Sequence, residues 1–289
     1  MSGLITTCKL RHERLSHRDY LARPELGSTT LKTLDAEGPE YTAATLSGEP
    51  AIDNESRALA FGSTVHAIID GSFASTIVVA PDSYRTADSQ KFAAFAADAA
   101  EAGRIAITDD EYRAASSCGQ SLAFRLAAYM AGRQRWREPS LFWTETTDSG
   151  LIVPCKCRPD ILLDDGSGGA IYIEIKTARS VATRAIRSDC FRYGYYLQQP
   201  HYEAGILASG AKSVRTIFAF VRKSPPYDCR FVELDFSDAE SARYRWRQLV
   251  NEYATRTQNN DWQSDSIRDP TVLTMGLTYG PQLEVEDDG

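Results

Sequence analysis

The chain has 289 residues, 43% of them hydrophobic and 25% charged, which is ample for a buried core with a solvated surface. Its longest apolar runs, such as Ile77–Ala80 and Ile217–Val221, are too short to cross a bilayer as a helix. A net charge of −7 argues against a protein that coats nucleic acid nonspecifically, although a basic groove can sit on an acidic protein.

Residues 1–55 are polar and turn-rich, with one short amphipathic helix expected near Thr29–Leu34. A helix is predicted over 56–72, where Leu59, Val65 and Ile69 share a face bordered by His66. Ile77–Ala80 reads as a short strand closed by the Pro81-Asp82 turn. An Ala- and Phe-rich helix follows over 88–102, ending at Gly103. Thr108 and Glu111 have the spacing of a capping box, which starts a helix running to about Gly132. Strands are then predicted at Leu141–Thr146, Ile152–Asp160 and Ala170–Lys176, the last two joined as a hairpin by the glycine-rich loop 164–169. A helical region over 181–208, strands at Val214–Val221 and Arg230–Asp235, and a helix from Asp238 to Thr255 complete the order. That order implies an α/β (α+β) fold with a central mixed sheet flanked by helices. We expect one domain over 1–255, with a helical N-terminal part (1–135), a catalytic core (136–255) and a weakly structured acidic tail over 256–289.

Cysteines stand at 8, 118, 155, 157, 190 and 229. With no export signal in view, a reducing cytoplasm and free thiols are expected. The Cys155-x-Cys157 pair has no second close pair to complete a zinc site, so both are read as small buried strand residues.

The chemistry concentrates in Ile171-Tyr172-Ile173-Glu174-Ile175-Lys176. Alternation along a strand sends the three isoleucines to one face and Tyr172, Glu174 and Lys176 to the other. A Glu-x-Lys on a strand is, alone, most often a solvent-facing ion pair. Here Arg158-Pro159-Asp160 precedes it across a glycine-rich loop, so Asp160 can approach Glu174. Two carboxylates beside one lysine are costly unless a divalent cation lies between the acids, and Mg²⁺ suits such a site. From Lys176 to Gln198 the chain carries five positive charges (Lys176, Arg179, Arg184, Arg187, Arg192) against Asp189 alone, as a phosphate backbone requires. Gln198 and Tyr202 share a helical spacing, with Pro200 between them as a source of kinking.

Arg158-Pro159-Asp160, Glu174-Ile175-Lys176 and Gln198-x-x-x-Tyr202 together resemble the PD-(D/E)xK nuclease superfamily in its RecB-like branch, where Gly62-x-x-x-His66 supplies a further site residue. With Ala58–Phe61, Val78–Pro81, Ile107-Thr108 and Glu138–Trp143, the pattern over about 19–255 is similar to the exodeoxyribonuclease VIII (RecE-type) nuclease family. The resemblance implies a restriction-endonuclease-like core with an N-terminal helical extension. It implies that Asp160 and Glu174 bind Mg²⁺ (Mn²⁺ substituting), that His66 is a further ligand, and that Glu138 approaches the metal through water. Lys176 then assists the attacking water, Gln198 and Tyr202 line the site, and Arg158 joins Arg179, Arg184, Arg187 and Arg192 in binding DNA. It further implies a 5′-to-3′ exonuclease on double-stranded ends, serving recombination as a homo-oligomer of bacterial or phage origin beside a single-strand annealing protein. An endonuclease on the same fold, or a non-catalytic DNA-binding module, are the alternatives. The iron–sulfur cluster of some RecB-like nucleases needs three cysteines after the tyrosine; only Cys229 follows Tyr202, so no cluster is expected.

Overall fold

The computed structural model of the protein describes residues 10–48, 56–82, 84 and 89–264. The chain begins with α1 (His17–Leu21), whose first turn is capped by the Ser16 hydroxyl accepting from the Asp19 amide, then α2 (Ser28–Glu37) and α3 (Pro39–Leu46). Gly38, at φ 84°, makes the turn between these two, and Pro39 opens α3 where its missing N–H costs nothing. The expected Thr29–Leu34 helix is α2, which buries Leu31 and Leu34. Next come α4 (Ser56–Asp70), α5 (Phe73–Thr76), β1 (Ile77–Val79), α6 (Gln90–Glu101), β2 (Ile105–Ile107) and α7 (Asp109–Met130). The capping box at Thr108 and Glu111 forms in both directions. Leu59 departs from its expected role: it is 61% exposed, and the buried stripe of α4 runs through Phe61 and Val65, with Ile68 and Ile69 partly buried.

The second half holds β3 (Arg135–Arg137), β4 (Leu141–Thr146), β5 (Ile152–Cys157), β6 (Ile161–Asp164), β7 (Ala170–Ala178), α8 (Thr183–Arg192), α9 (Tyr195–Ala208), β8 (Val214–Arg222), β9 (Cys229–Val232) and α10 (Phe236–Asn259). Five strands form a mixed sheet in the order β3-β6-β7-β8-β9, with β7 and β8 parallel and the other pairs antiparallel. A parallel neighbour needs a long crossover, and α8 and α9 supply it. They are two helices rather than one, because Gly194 takes a left-handed conformation (φ 62°) between them.

The strand expected over Ile152–Asp160 ends early, and a further strand follows it that was not expected. β5 ends at Cys157 and pairs with β4 in a separate two-stranded sheet, while β6 is the strand that pairs with β7. Pro159 cannot donate to a ladder, so the chain turns at Arg158–Asp160 and leaves Asp160 at the mouth of β6. β2 and β3, three residues each, were too short to show alternation in the sequence.

Both faces of β7 are buried, as a central strand between helical layers requires. Ile171, Ile173 and Ile175 pack with Val65 of α4 and Leu122 and Leu126 of α7. Tyr172 packs on the other face with Leu197 and Ile206 of α9 and Trp246 and Leu249 of α10. Gly205 lets α9 close onto β4 and β5: a Cβ there would meet Trp143 at 2.7 Å and Cys157 Sγ at 2.8 Å. The chain past the expected boundary at 255 continues in α10 to Asn259, and Trp262 packs edge-on against Tyr253; the remainder of the expected tail, 265–289, lies outside the described residues.

Cys118, Cys155, Cys157, Cys190 and Cys229 are free thiols, and Cys8 lies outside the described residues. Among the described residues no helix is long and apolar enough to cross a membrane.

Candidate active site

Glu174 and Lys176 stand on the α9-facing side of β7, but their side chains are only 6% and 16% exposed, so this is no solvated surface pair. Lys176 Nζ donates to Glu174 Oε1 at 2.7 Å and to Gln198 Oε1 at 3.1 Å. Tyr172 Oη donates to Glu174 Oε2 at 2.7 Å, and the Gln198 amide donates to Glu174 Oε1. Tyr195 places its ring 4.6 Å beneath the lysine nitrogen. Burial by itself would raise the Glu174 carboxyl, but the Lys176 charge and the Lys176 and Tyr172 hydrogen bonds hold it below its ordinary value. Pro200 lies inside α9 without ending it, so Gln198 and Tyr202 keep their helical relation: Gln198 is buried against Glu174, and the Tyr202 ring stacks on Tyr172 at 5.2 Å.

Asp160 reaches the same region from the Arg158–Asp160 turn. Its Oδ2 accepts the Ile175 backbone N–H at 2.7 Å, and its Oδ1 meets His66 Nδ1 at 3.2 Å. α4 therefore brings His66 to the carboxylates from the far side of the sequence. Burial and the negative charge of Glu174 raise the Asp160 carboxyl, with His66 opposing. For His66, burial favours the neutral ring, but the charge and hydrogen bond of Asp160 outweigh it and push the imidazole up to about 9. Because that value lies above the ordinary 6.5, the protonated ring stabilises the fold fully below pH 6.5, and this contribution disappears as pH rises through about 9. Metal-free protein in EDTA should thus lose stability from pH 6.5 to beyond 9 in chemical denaturation, and His66→Gln should flatten that part of the profile. An unchanged profile in the variant would dismiss the pair as a stabilising contact.

Glu138 carries the left-handed φ of 43°, a strained conformation for a glutamate, held in part by its N–H donating to the Asp160 carbonyl at 3.0 Å. Its carboxylate takes a 2.7 Å bond from Arg158, and the residue lines one small cavity with His66 and Asp160. Arg179, Arg184, Arg187 and Arg192 lie beyond β7, exposed on and before α8, with Arg192 over the Tyr193 ring at 5.5 Å. Thus His66, Asp160, Glu174, Lys176 and Gln198 are brought together, Glu138 and Tyr202 border them, and the arginines on and before α8 are exposed to solvent.

Sequence reasoning missed three contributors. Tyr172 was readable from its place on the strand face but was not singled out. Lys32 of α2 feels both Lys176 and Glu174: burial and the neighbouring ammonium lower it to about 8. Tyr20 of α1 lies in the field of Arg158 and Glu174. Nothing in the local sequence around Lys32 or Tyr20 signals this, because their neighbours in space are more than a hundred residues away.

No group of three or more His, Cys, Asp or Glu side chains among the described residues is gathered closely enough to cage a metal ion. A Mg²⁺ site does not need such a cage, since this ion keeps several waters and takes one or two carboxylates. Asp160 accepts bonds from His66 and Ile175, and Glu174 from Lys176, Gln198 and Tyr172. A carboxylate offers about four lone-pair sites, so both retain room for a hard cation. Burial, and after it the negative charge of Glu174, raises Asp160, and a bound cation would offset both. The donor set fits a divalent metal held by Asp160 and Glu174.

Residues 27–266 match a family described as a PDDEXK-like domain of unknown function (DUF3799). Among solved structures, a candidate exonuclease from Eubacterium rectale superposes with a TM-score of 0.59 at 14% identity, over 92% of this chain and 97% of that one. That likeness speaks for the fold alone. The structure of SSO0001 aligns over 83% of this chain and 90% of its own at 11% identity, and its TM-score of 0.38 is too low to carry an argument. No curated protein matches the chain. The family match runs from the start of α2 to beyond α10, covering His66, Asp160, Glu174, Lys176 and Gln198, and the chain belongs to this PDDEXK-like family.

Proposed function

We propose that the protein is a divalent-metal-dependent deoxyribonuclease of the RecB-like, exodeoxyribonuclease VIII type. It hydrolyses phosphodiester bonds at double-stranded DNA ends from 5′ to 3′, leaving 3′ tails for recombination. The observation that carries this reading is the buried junction of Asp160–His66 with Glu174–Lys176–Gln198 at the mouth of β6 and β7. Buried ion pairs are seldom a good source of stability, so a cluster this polar inside the fold suits chemistry better than support.

Asp160 and Glu174 hold Mg²⁺, with Mn²⁺ as a substitute, and His66 and Glu138 flank them. The bound ion supplies Lewis-acid activation of water and neutralises charge on the phosphate. Lys176, bonded to Glu174, orients the attacking water and stabilises charge developing on the phosphoryl oxygens. Gln198 positions Lys176 by accepting its hydrogen bond at Oε1 while its amide donates to Glu174, and Tyr202 braces Tyr172 behind it. Arg158, Arg179, Arg184, Arg187 and Arg192 contact the phosphate backbone. The working assembly in this proposal is a cytoplasmic homo-oligomer, of bacterial or phage origin, acting beside a single-strand annealing protein.

Digestion of linear and covalently closed circular duplex DNA tests the reading. The wild type should degrade only the linear form with Mg²⁺ or Mn²⁺. Cutting of both forms makes it an endonuclease, and no cutting of either removes catalysis on duplex DNA.

A further inference from the structure

Beside the carboxylates opens a cleft of about 470 Å³, within the roughly 300–1,000 Å³ of pockets that hold small ligands. It shares Asp70, Arg137 and Glu138 with the small cavity at His66 and Asp160, so it leads directly to the candidate site. Four arginines line it: Arg14, Arg135, Arg137 and Arg158, with Asp70 and Glu138 as the acids. In a chain of net charge −7 this is a local reversal of sign.

The alternation of β3 produces much of it. Trp136 goes into the core, and Arg135 and Arg137 emerge exposed on the other side, about 7 Å apart along the strand. Arg14 arrives from the segment before α1, upstream of the family match. Glu138 pairs with Arg158, whereas Arg14, Arg135 and Arg137 form no ion pair among the described residues. Arg137 donates to the Ile69 carbonyl, and Arg135 makes a single long contact with Met130 Sδ at 4.0 Å. Arg158 keeps its Nε and Nη1 buried without a partner, an expensive state for a guanidinium. Four arginines against two acids leave the cleft net positive, with Arg14, Arg135 and Arg137 outside any ion pair among the described residues, and such a lining matches phosphate oxygens better than any neutral ligand.

We propose that this cleft seats the phosphodiester backbone of the DNA strand on one side of the scissile bond. Arg14, Arg135 and Arg137 take phosphate oxygens, and Arg158, positioned by Glu138, borders the carboxylates. The proposal rests on the nuclease reading and adds to it the path of the strand, which the α8 arginines do not define.

Arg14→Ala/Arg135→Ala removes two exposed side chains and leaves the backbone pairing of β3 in place. The full-length variant is compared with wild type in binding a short fluorescently labelled duplex in EDTA across a salt series. Each lost phosphate contact lowers the slope of log K against log salt by about 0.9, so the double variant should lose about 1.8. Affinity at low salt should fall about tenfold or more, with the melting temperature unchanged. Arg113→Ala/Arg243→Ala, which removes two exposed arginines outside the cleft, should keep the wild-type slope. Wild-type affinity and slope in the cleft variant overturn the proposal, as does an equal loss in the control, which would reduce the effect to net charge. If the wild type neither binds nor cuts DNA with Mg²⁺ or Mn²⁺, the nuclease reading fails and the cleft with it. If the wild type cuts and the cleft variant binds and cuts equally well, the cleft assignment alone fails.

Discussion

Replacing Lys176 by alanine should lower DNA cleavage by about 10²- to 10⁴-fold, the range expected when one proton-handling or charge-stabilising group is removed. The ammonium is the sole cation bonded to Glu174 among the described residues, and it also fixes Gln198. DNA affinity should change little, since the phosphate contacts lie elsewhere. The structure adds a stability effect that the sequence did not suggest. Without Lys176 the Glu174 carboxylate remains buried with Tyr172 and Gln198 only, at a cost of about 1–3 kcal/mol at neutral pH. Its carboxyl should then rise, because burial is opposed only by the Tyr172 hydrogen bond and the His66 charge and no longer by the lysine. A raised acid binds its proton more tightly in the folded state, so the variant should be least destabilised at acidic pH and lose stability as pH rises through the carboxylate range. Cleavage assays with chemical denaturation at several pH values measure both effects. Normal cleavage by this variant would sink the assignment of the site.

Asp160→Asn carries the second large expectation. Asparagine keeps the shape and an oxygen for the Ile175 N–H but removes the charge. Cleavage should fall by at least about a hundredfold, and the thermal stabilisation by Mg²⁺ or Mn²⁺ should disappear. A second readout needs no metal at all. Asp160 is what overcomes burial at His66, so in EDTA the imidazole should drop from about 9 to 6.5 or lower, as followed by proton NMR of its ring C–H groups. An unaltered His66 titration would dissolve the pair, and a retained metal shift would remove Asp160 from the ligand set.

Local patterns carried much of the architecture. The capping box at Thr108 and Glu111, the turn at Pro81 and the alternation of Ile171–Lys176 are short-range effects, so they could be read before any contact was known. Where a feature depends on two distant segments, the same reasoning failed. The strand expected from Ile152 to Asp160 to pair with Ala170–Lys176 instead stops at Cys157 and pairs with β4, and the partner of β7 is β6 at Ile161–Asp164, a choice made by pairing partners rather than by propensity. Leu59 fits the apolar stripe of an isolated helix, yet the position of α7 selects Phe61 and Val65 as the buried face.

The candidate site divides along the same line. From sequence alone came Glu174 and Lys176 on one strand face, Asp160 ahead of them, and a resemblance that added His66, Gln198, Tyr202 and Glu138. Those are strings of residues whose spacing is short, or whose order along the chain is characteristic. The tertiary structure alone decided that Glu174 and Lys176 are buried rather than solvated, that His66 is bound to Asp160, and that Lys32 and Tyr20 lie within electrostatic reach of Glu174. It also decided that the arginines lining the cleft beside the site come from β3, the Arg158 turn and the segment before α1. Charge density along a sequence marks a basic stretch, but only the folding of distant backbone segments into one cleft determines which arginines share it.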